Sequence, residues 1–120
     1  MKTKAVSVNV QPRFRVMRRG EIALGPGKAD LLEQVGKTGS IAEAAEKMGM
    51  SYMRAWSLLK TMERCFAQPL IRVSRGGAQH GGARLTAHGL KALGLYREME
   101  AKSLGATAGV RRRMAGLLRD

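Results

Sequence analysis

The chain has 120 residues, 44% of them hydrophobic, which suffices for one modest core and excludes a second large domain. Its 22 lysines and arginines stand against 9 aspartates and glutamates, giving a formal net charge of +13. A surface with that charge attracts polyanions, so we expect nucleic acid as the partner class. Only 4% of the residues are aromatic, and the aliphatic remainder favours helices over an aromatic-rich sandwich.

The positions of the basic residues support the same partner class. Residues 1–20 and 71–97 contain lysines and arginines but no acid, whereas residues 28–50 are close to neutral. Basic segments around a neutral centre favour polyanion binding over the alternative of solvated surface charges. The single cysteine cannot form an intramolecular disulfide, and no apolar run suits a signal segment or a bilayer span. We therefore expect an intracellular protein, cytoplasmic and located at the bacterial nucleoid.

Strand and helix signals alternate in the first third of the chain. Apolar and polar residues alternate between positions 6 and 16, which predicts a half-buried strand. A turn at 18–21 leads to a short strand at 22–24. Pro26 then suits the first turn of a helix that ends between Gly36 and Gly39.

The centre of the chain predicts a helix-turn-helix. Ser40 and Glu43 fit a capping box at the start of a short helix, and Gly49 ends that helix in the left-handed conformation. Ser51 caps a third helix from about 52 to 67. Two capped helices joined by a tight glycine turn are typical of DNA-reading proteins.

A hairpin and a long helix follow. Residues 70–75 and 83–85 predict two strands joined by a glycine-rich loop, and Thr86 caps a helix from 87 to about 104. We expect residues 1–12 to be a basic N-terminal segment, 13–104 to be the folded domain, and 105–120 to be a flexible basic tail. The predicted fold is mainly α with small β hairpins, a winged helix-turn-helix.

These elements suit duplex DNA. The helix at 51–67 fits the major groove, and the wing at 70–86 can lie along the backbone or the minor groove. One face of that helix, with Ala55, Leu59 and Met62, is predicted core, and Trp56 is predicted to pack beside it rather than stack on a base. The candidate DNA-binding residues are Ser40, Ser51, Tyr52, Met53, Arg54, Ser57, Lys60, Arg75, His80 and Arg84.

Several short motifs resemble one regulator family. They are Gly39-Ser40-Ile41, Ala44-Ala45, Gly49-Met50-Ser51-Tyr52, Ala55-Trp56, Pro69-Leu70, the glycine-rich segment, and Leu85-Thr86 with Gly89. Over roughly residues 13–100 the chain is similar to the N-terminal DNA-binding domain of the molybdate-responsive ModE regulators, and more distantly to LysR-type regulators. The resemblance implies a dimeric winged-helix transcription regulator. ModE proteins carry C-terminal molybdate-binding domains, for which we expect no room before Asp120. We therefore expect either a DNA-binding half that works with a separate molybdate-sensing protein or a regulator that senses nothing directly.

The last helix has an apolar face that covers more than half its circumference. We expect a homodimer through this face, with Leu90, Leu93, Tyr96 and Met99 at the interface. The alternative is that the N-terminal hairpin covers the face within one chain.

Other function classes are less well supported. A protein-interaction adaptor of winged-helix fold, acting through residues 87–104 without reading DNA, would not require the basic segments. Single-strand or RNA binding is disfavoured because the aromatic residues are not interleaved with the basic ones. Cys65, His80 and His88 match no zinc spacing, and no orienting acid serves a cysteine nucleophile, so we expect no metal, no cofactor and no enzymatic activity.

Overall fold

The structure, a computed structural model, describes residues 9–74 and 82–119. Its elements are β1 (Val16–Arg18), β2 (Glu21–Leu24), α1 (Pro26–Thr38), α2 (Ile41–Lys47), α3 (Tyr52–Cys65), β3 (Ile71–Ser74), β4 (Gly82–Leu85) and α4 (Ala87–Ala115). The strands form two separate antiparallel hairpins. The predicted class, mainly α with small β hairpins and a winged helix-turn-helix, is confirmed.

The first hairpin is shorter than its sequence pattern predicts. Val16 pairs with Leu24 and Arg18 with Glu21, and the turn places Arg19 and Gly20 at positive φ. Residues 9–15 belong to no strand or helix, and positions 6–8 lie outside the described residues. The alternation of burial continues through Phe14, so the period-two pattern is real. The prediction of a strand is wrong for 9–15, where no described strand pairs with the segment.

The core lies between α1, α2, α3 and the start of α4. Its buried side chains include Leu31, Leu32 and Val35 of α1, Ala44 and Ala45 of α2, and Ala55, Leu59 and Met62 of α3. The two alanines of α2 have small side chains, so neighbouring helices can approach this part of α2 closely. The predicted apolar faces of α2 and α3 are therefore the observed core faces.

The junctions of the helix-turn-helix are fixed by local hydrogen bonds. The Ser40 hydroxyl accepts a hydrogen bond from the Glu43 N–H (3.1 Å), and the Ser51 hydroxyl accepts one from the Arg54 N–H (3.1 Å). Gly49, between α2 and α3, has φ +69°, the left-handed conformation predicted for it. These bonds satisfy amide groups that the first turn of a helix leaves unpaired.

The helix predicted to end near Leu104 continues to Ala115, so residues 105–115 are helical and not an irregular tail. Gly105 and Gly109 weaken a helix by only about 1 kcal/mol each. The Arg111 guanidinium donates hydrogen bonds to the Leu104 carbonyl (2.7 Å) and the Thr107 hydroxyl (3.0 Å) on the preceding turns. With 29 residues, α4 is about 43 Å long.

The first half of α4 is anchored to the body. Tyr96 is only 1% exposed, and its hydroxyl donates a hydrogen bond to the Phe14 carbonyl (2.8 Å). Burial raises the pKa of the Tyr96 phenol above its usual value. The Arg97 guanidinium donates hydrogen bonds to Asp30 and Glu33 of α1 (both 2.8 Å) and to Glu100 (2.9 Å). Tyr96 therefore belongs to the chain's own core, which corrects its assignment to a dimer interface.

None of the helices in the described ranges is both long and apolar enough to cross a membrane.

Candidate nucleic-acid interface

Helix α3 has one buried face and one open face. Successive residues of a helix are about 100° apart, so side chains opposite Ala55, Leu59 and Met62 point to solvent. The row directly opposite, in chain order, is Met53, Ser57, Lys60 and Arg64, and all four are exposed. Arg54 lies exposed on one flank of this row. We call Met53, Arg54, Ser57 and Lys60 the reading face, since they occupy the part of α3 that comes after its capped start.

A short stack of side chains occupies the other flank of α3. The rings of Tyr52 and Trp56 are nearly parallel, with centroids 6.4 Å apart and an interplanar angle of 12°. The Lys60 ammonium lies 4.6 Å from the centroid of the Trp56 ring, a cation–π contact. Trp56 is half-buried against the core, so the packing role predicted for it is the one observed. The contact with the Trp56 ring also restricts the positions that the Lys60 ammonium group can occupy.

The wing is joined to α3 by a half-buried acceptor. The carboxylate of Glu63 accepts hydrogen bonds from the backbone N–H groups of Leu70 (3.0 Å) and Ile71 (3.2 Å), at the start of β3. On the other side of the hairpin, the Ala83 N–H donates to the Gly39 carbonyl (2.9 Å) at the α1–α2 junction. The hairpin is thus held at a fixed angle to the reading face.

Two arginines face each other across the wing. In the register of the hairpin Arg72 is directly opposite Arg84, so both side chains stand on one face. Both are exposed, and neither forms an ion pair within the described part of the chain. Like charges in this position destabilise a hairpin unless an anion lies near them. Arg84 is predicted from sequence, whereas Arg72 is missed because the register of the hairpin is not readable from the residues.

The wing and α3 border a common depression. Its volume is about 330 Å³, and Trp56, Lys60, Glu63 and Arg72 are among the residues that line it. A second, smaller depression between Tyr52 and the other end of β3 includes Ser40 and Ser74. Lys60 of the reading face and Arg72 of the arginine pair therefore border the same depression.

The predicted DNA-binding residues divide into three groups. Tyr52, Met53, Arg54, Ser57 and Lys60 lie together on the open side of α3, with Ser51 at its start. Ser40 is half-buried and Arg84 is on the wing. Arg75 and His80 lie outside the described residues.

The predicted dimer face of α4 is partly open. Leu90 and Met99 are exposed, whereas Leu93 is half-buried against the core and Tyr96 is fully buried. The exposed large apolar residues of α4 are Leu90, Leu95, Met99, Leu104, Val110 and Met114. Residues 9–12 and the α4 residues Glu100, Leu104 and Arg111 line a common open depression of about 430 Å³.

At the far end of α3 an ion pair links the first hairpin to the reading helix. The Arg64 guanidinium donates to the Glu21 carboxylate at 3.0 Å, and the Cys65 thiol lies 3.5 Å from the other oxygen of that carboxylate. The hydrogen bond from Arg64 holds the pKa of Glu21 below its ordinary value, and the Cys65 thiol lowers it further by a smaller amount. Arg64 is partly neutralised, which leaves Arg54 and Lys60 as the cations of α3 that no described carboxylate pairs.

Comparisons with known proteins indicate bacterial transcription regulators or molybdenum-related proteins as relatives of this chain. Residues 28–90 match the model of the bacterial regulatory helix-turn-helix proteins of the lysR family. The chain is 37% identical to the molybdenum-pterin-binding protein MopB of Rhodobacter capsulatus over 72% of this chain and 32% of that protein. It is 37% identical to the transcriptional regulator ModE of Yersinia pestis over 59% of this chain and 27% of that protein.

The chain therefore spans less than half the length of these curated relatives. Among solved structures, a single-residue mutant of ZitR from Lactococcus lactis superposes with a TM-score of 0.55 at 18% identity, covering 83% of this chain and 67% of that one. At this identity the likeness supports the fold alone.

Proposed function

Because the chain belongs to the bacterial regulatory helix-turn-helix proteins of the lysR family, we propose that it is a DNA-binding transcription regulator. On this proposal α3 enters the major groove, and the wing contacts the backbone beside it. The observation that carries the proposal is the exposed reading face of α3, whose Lys60 lines the same depression as Arg72 of the wing. We also propose a location at the bacterial nucleoid, which follows from the same activity.

The charges divide into two roles. Arg54 follows the capped start of α3, where helix-turn-helix proteins contact base edges, so we assign it a reading role. Arg72 and Arg84 stand on the hairpin, beside the groove that α3 would occupy, and we assign them to phosphates. Ser40, Ser51 and Ser57 supply hydroxyls near the same surface. We also assign a phosphate-binding role to Arg75 and His80 of the wing loop.

The test is binding of labelled duplexes followed by fluorescence anisotropy at several salt concentrations. The affinity should fall steeply with salt, with a slope that reports about six or more neutralised phosphates per dimer. Arg72→Ala or Arg84→Ala should weaken specific and random duplexes alike and reduce the slope by about 1 for each phosphate that is no longer neutralised. Lys102→Ala, which removes the same charge from α4, is the matched control and should change neither quantity.

Arg54→Ala should instead cost about 1–3 kcal/mol at the specific site and relax the base preference there. A salt dependence that is nearly flat would contradict DNA binding. An unchanged affinity of Arg54→Ala for both duplexes would contradict the assignment of α3.

We further propose that the chain acts as a homodimer through the open side of α4. The second half of α4 exposes Leu104, Val110 and Met114, and an isolated helix is marginally stable in water unless an apolar face is covered. Leu90, Leu95 and Met99 are exposed on this helix. A two-fold dimer would place two α3 helices on half-sites about one duplex turn apart.

Sedimentation of the purified chain tests the dimer. Leu95→Glu should shift the protein to the 13.0 kDa monomer while its helical content is retained, because this side chain is exposed. Met17→Glu, at a similarly exposed position of β1, is the control and should leave the dimer intact. A wild-type chain that sediments as a monomer at micromolar concentration would contradict the interface.

A protein-interaction adaptor is the second candidate function, and the apolar side chains on α4 are what favours it. A groove of about 440 Å³ lies next to them, lined among others by Val16, Phe66 and Met99. An adaptor would keep this surface occupied and show no salt-dependent affinity for duplex DNA.

The names of the relatives refer to molybdenum, so a separate molybdate-sensing protein is the partner we propose to look for first.

A further inference from the structure

We propose that Met53 determines sequence specificity by contacting the 5-methyl group of a thymine in the major groove. This assignment rests on the proposed function, since it gives a base to one residue of the reading face. It goes beyond that function because the charged residues alone predict affinity and a preference for guanine, and say nothing about thymine.

Met53 is the more exposed of the two residues that begin α3. Its side chain is 70% exposed, compared with 48% for its neighbour Tyr52. Tyr52 stacks on Trp56 and borders the wing, so it is engaged within the chain. Met53 belongs neither to the core cluster nor to any of the ring contacts among the described residues, and is therefore available to a partner.

The position of Met53 on α3 directs its side chain toward DNA. Met53 lies in the row directly opposite the buried Ala55, Leu59 and Met62, so its side chain points away from the protein core. In helix-turn-helix proteins the residues at the start of the recognition helix are those that reach base edges. The positive charge of Arg54, beside Met53, brings the polyanion to this side of α3.

The chemistry of the Met53 side chain selects one kind of base. A thioether has no hydrogen-bond donor and only a weak acceptor, so it gains little from phosphates or from the polar edges of bases. The major groove presents one apolar group, the methyl group of thymine. A flexible, polarisable side chain adapts to this methyl group without demanding a single geometry. The base that fits Met53 is therefore thymine and not cytosine or guanine.

The experiment begins with selection of duplexes from a random pool by the wild-type chain. Each thymine of the selected duplex is then replaced by uracil, which removes the methyl group and keeps every hydrogen-bonding group. At one thymine position in each half-site the replacement should weaken binding about fourfold, the effect of burying one methyl group. The affinities are measured by anisotropy at one salt concentration.

Variants assign the effect to the residue. With Met53→Ala, the same replacement should have no further effect, because the methyl group then faces no long apolar side chain. Met53→Leu should retain sensitivity to uracil, since leucine keeps the apolar surface. Met17→Ala removes an exposed methionine from β1 and should respond to uracil like the wild type. Alanine is the best helix former, and circular dichroism checks that α3 is intact in Met53→Ala.

The outcomes separate the specificity of Met53 from the function on which it depends. If the pool yields a preferred duplex but no uracil position matters, or if Met53→Ala remains as sensitive as the wild type, the assignment of Met53 is wrong and the regulator function stands. If no duplex is enriched above random DNA, specific reading by α3 fails, and the assignment of Met53 fails with it.

Discussion

Two glycines of α4, Gly89 and Gly94, have different surroundings. Substitutions at these positions test how closely α4 packs against the wing. A Cβ added at Gly89 would lie 2.1 Å from the Leu70 carbonyl oxygen, whereas one added at Gly94 would meet nothing within 4 Å. We therefore expect Gly89→Ala to destabilise the protein and Gly94→Ala to stabilise it. The same chemical change in one helix should act with opposite signs.

The magnitudes follow from the contacts. Alanine in a helix interior is favoured over glycine by about 0.5–1 kcal/mol, and Gly94→Ala should realise this gain. At Gly89 the helix must move away from the Leu70 carbonyl by about 1 Å to restore ordinary contact distances. That movement stretches the hydrogen bond from the Thr86 N–H to the same carbonyl, which is now 2.9 Å long. Overpacking costs about 1–3 kcal/mol and the weakened bond about 1 kcal/mol, so we expect a net loss of about 2–3 kcal/mol.

Urea unfolding followed by circular dichroism measures both free energies at one protein concentration, because an oligomer's stability depends on concentration. Thermal scans should show a rise of about 2–6 °C for Gly94→Ala and a larger fall for Gly89→Ala. If Gly89→Ala were as stable as Gly94→Ala, the close approach of α4 to Leu70 would not exist in solution. The placement of the wing beside α4 would then be wrong.

Three further outcomes are expected from the ion pairs and acceptors. Arg97→Ala should destabilise the protein in urea unfolding by about 1–3 kcal/mol, because it removes the described cation partner of Asp30 and Glu100 and leaves Glu33 with Lys37 alone, while Lys102→Ala should have little effect. Hydrogen bonds from Lys37 and Arg97 hold the pKa of Glu33 below its ordinary value of 4.5. The stabilisation that ionised Glu33 contributes should therefore be fully present above about pH 5 and be lost as the pH falls through the lowered pKa. Glu33→Gln should make stability depend less on pH in this range. Glu63→Ala should weaken duplex binding and speed hydrogen exchange of the wing amides. Both effects should be smaller for Glu63→Gln, which keeps an acceptor.

The sequence predicts those parts of the fold that depend on neighbours along the chain. Residue type and spacing identify Ser40, Ser51 and Thr86 as caps, and each accepts the backbone N–H three residues on. Gly49 is identifiable as the left-handed turn because few other residues adopt that conformation readily. The open and buried faces of α3 follow from the helical period alone.

Features that depend on distant residues are not predictable in this way. The extent of α4 is underestimated because Gly105 and Gly109 usually mark a helix end, and the cost of each is offset by contacts on other turns. The sequence assigns Tyr96 to a partner because its acceptor, the Phe14 carbonyl, is 82 residues away. Arg72 is missed for a related reason, since only the hairpin register places it opposite Arg84.

The same long-range contacts determine how the two proposed surfaces are related. Glu63 holds the wing to α3, and the Thr86 hydroxyl, which donates to the Pro69 carbonyl and accepts from the Gly89 N–H, holds the wing to the first turn of α4. The reading face and the exposed side of α4 are thus attached to one hairpin. A dimer formed through α4 would therefore fix the distance and angle between its two reading helices. A substitution at Gly89 or Glu63 should then change the preferred spacing of half-sites as well as stability, although neither residue lies on the reading face.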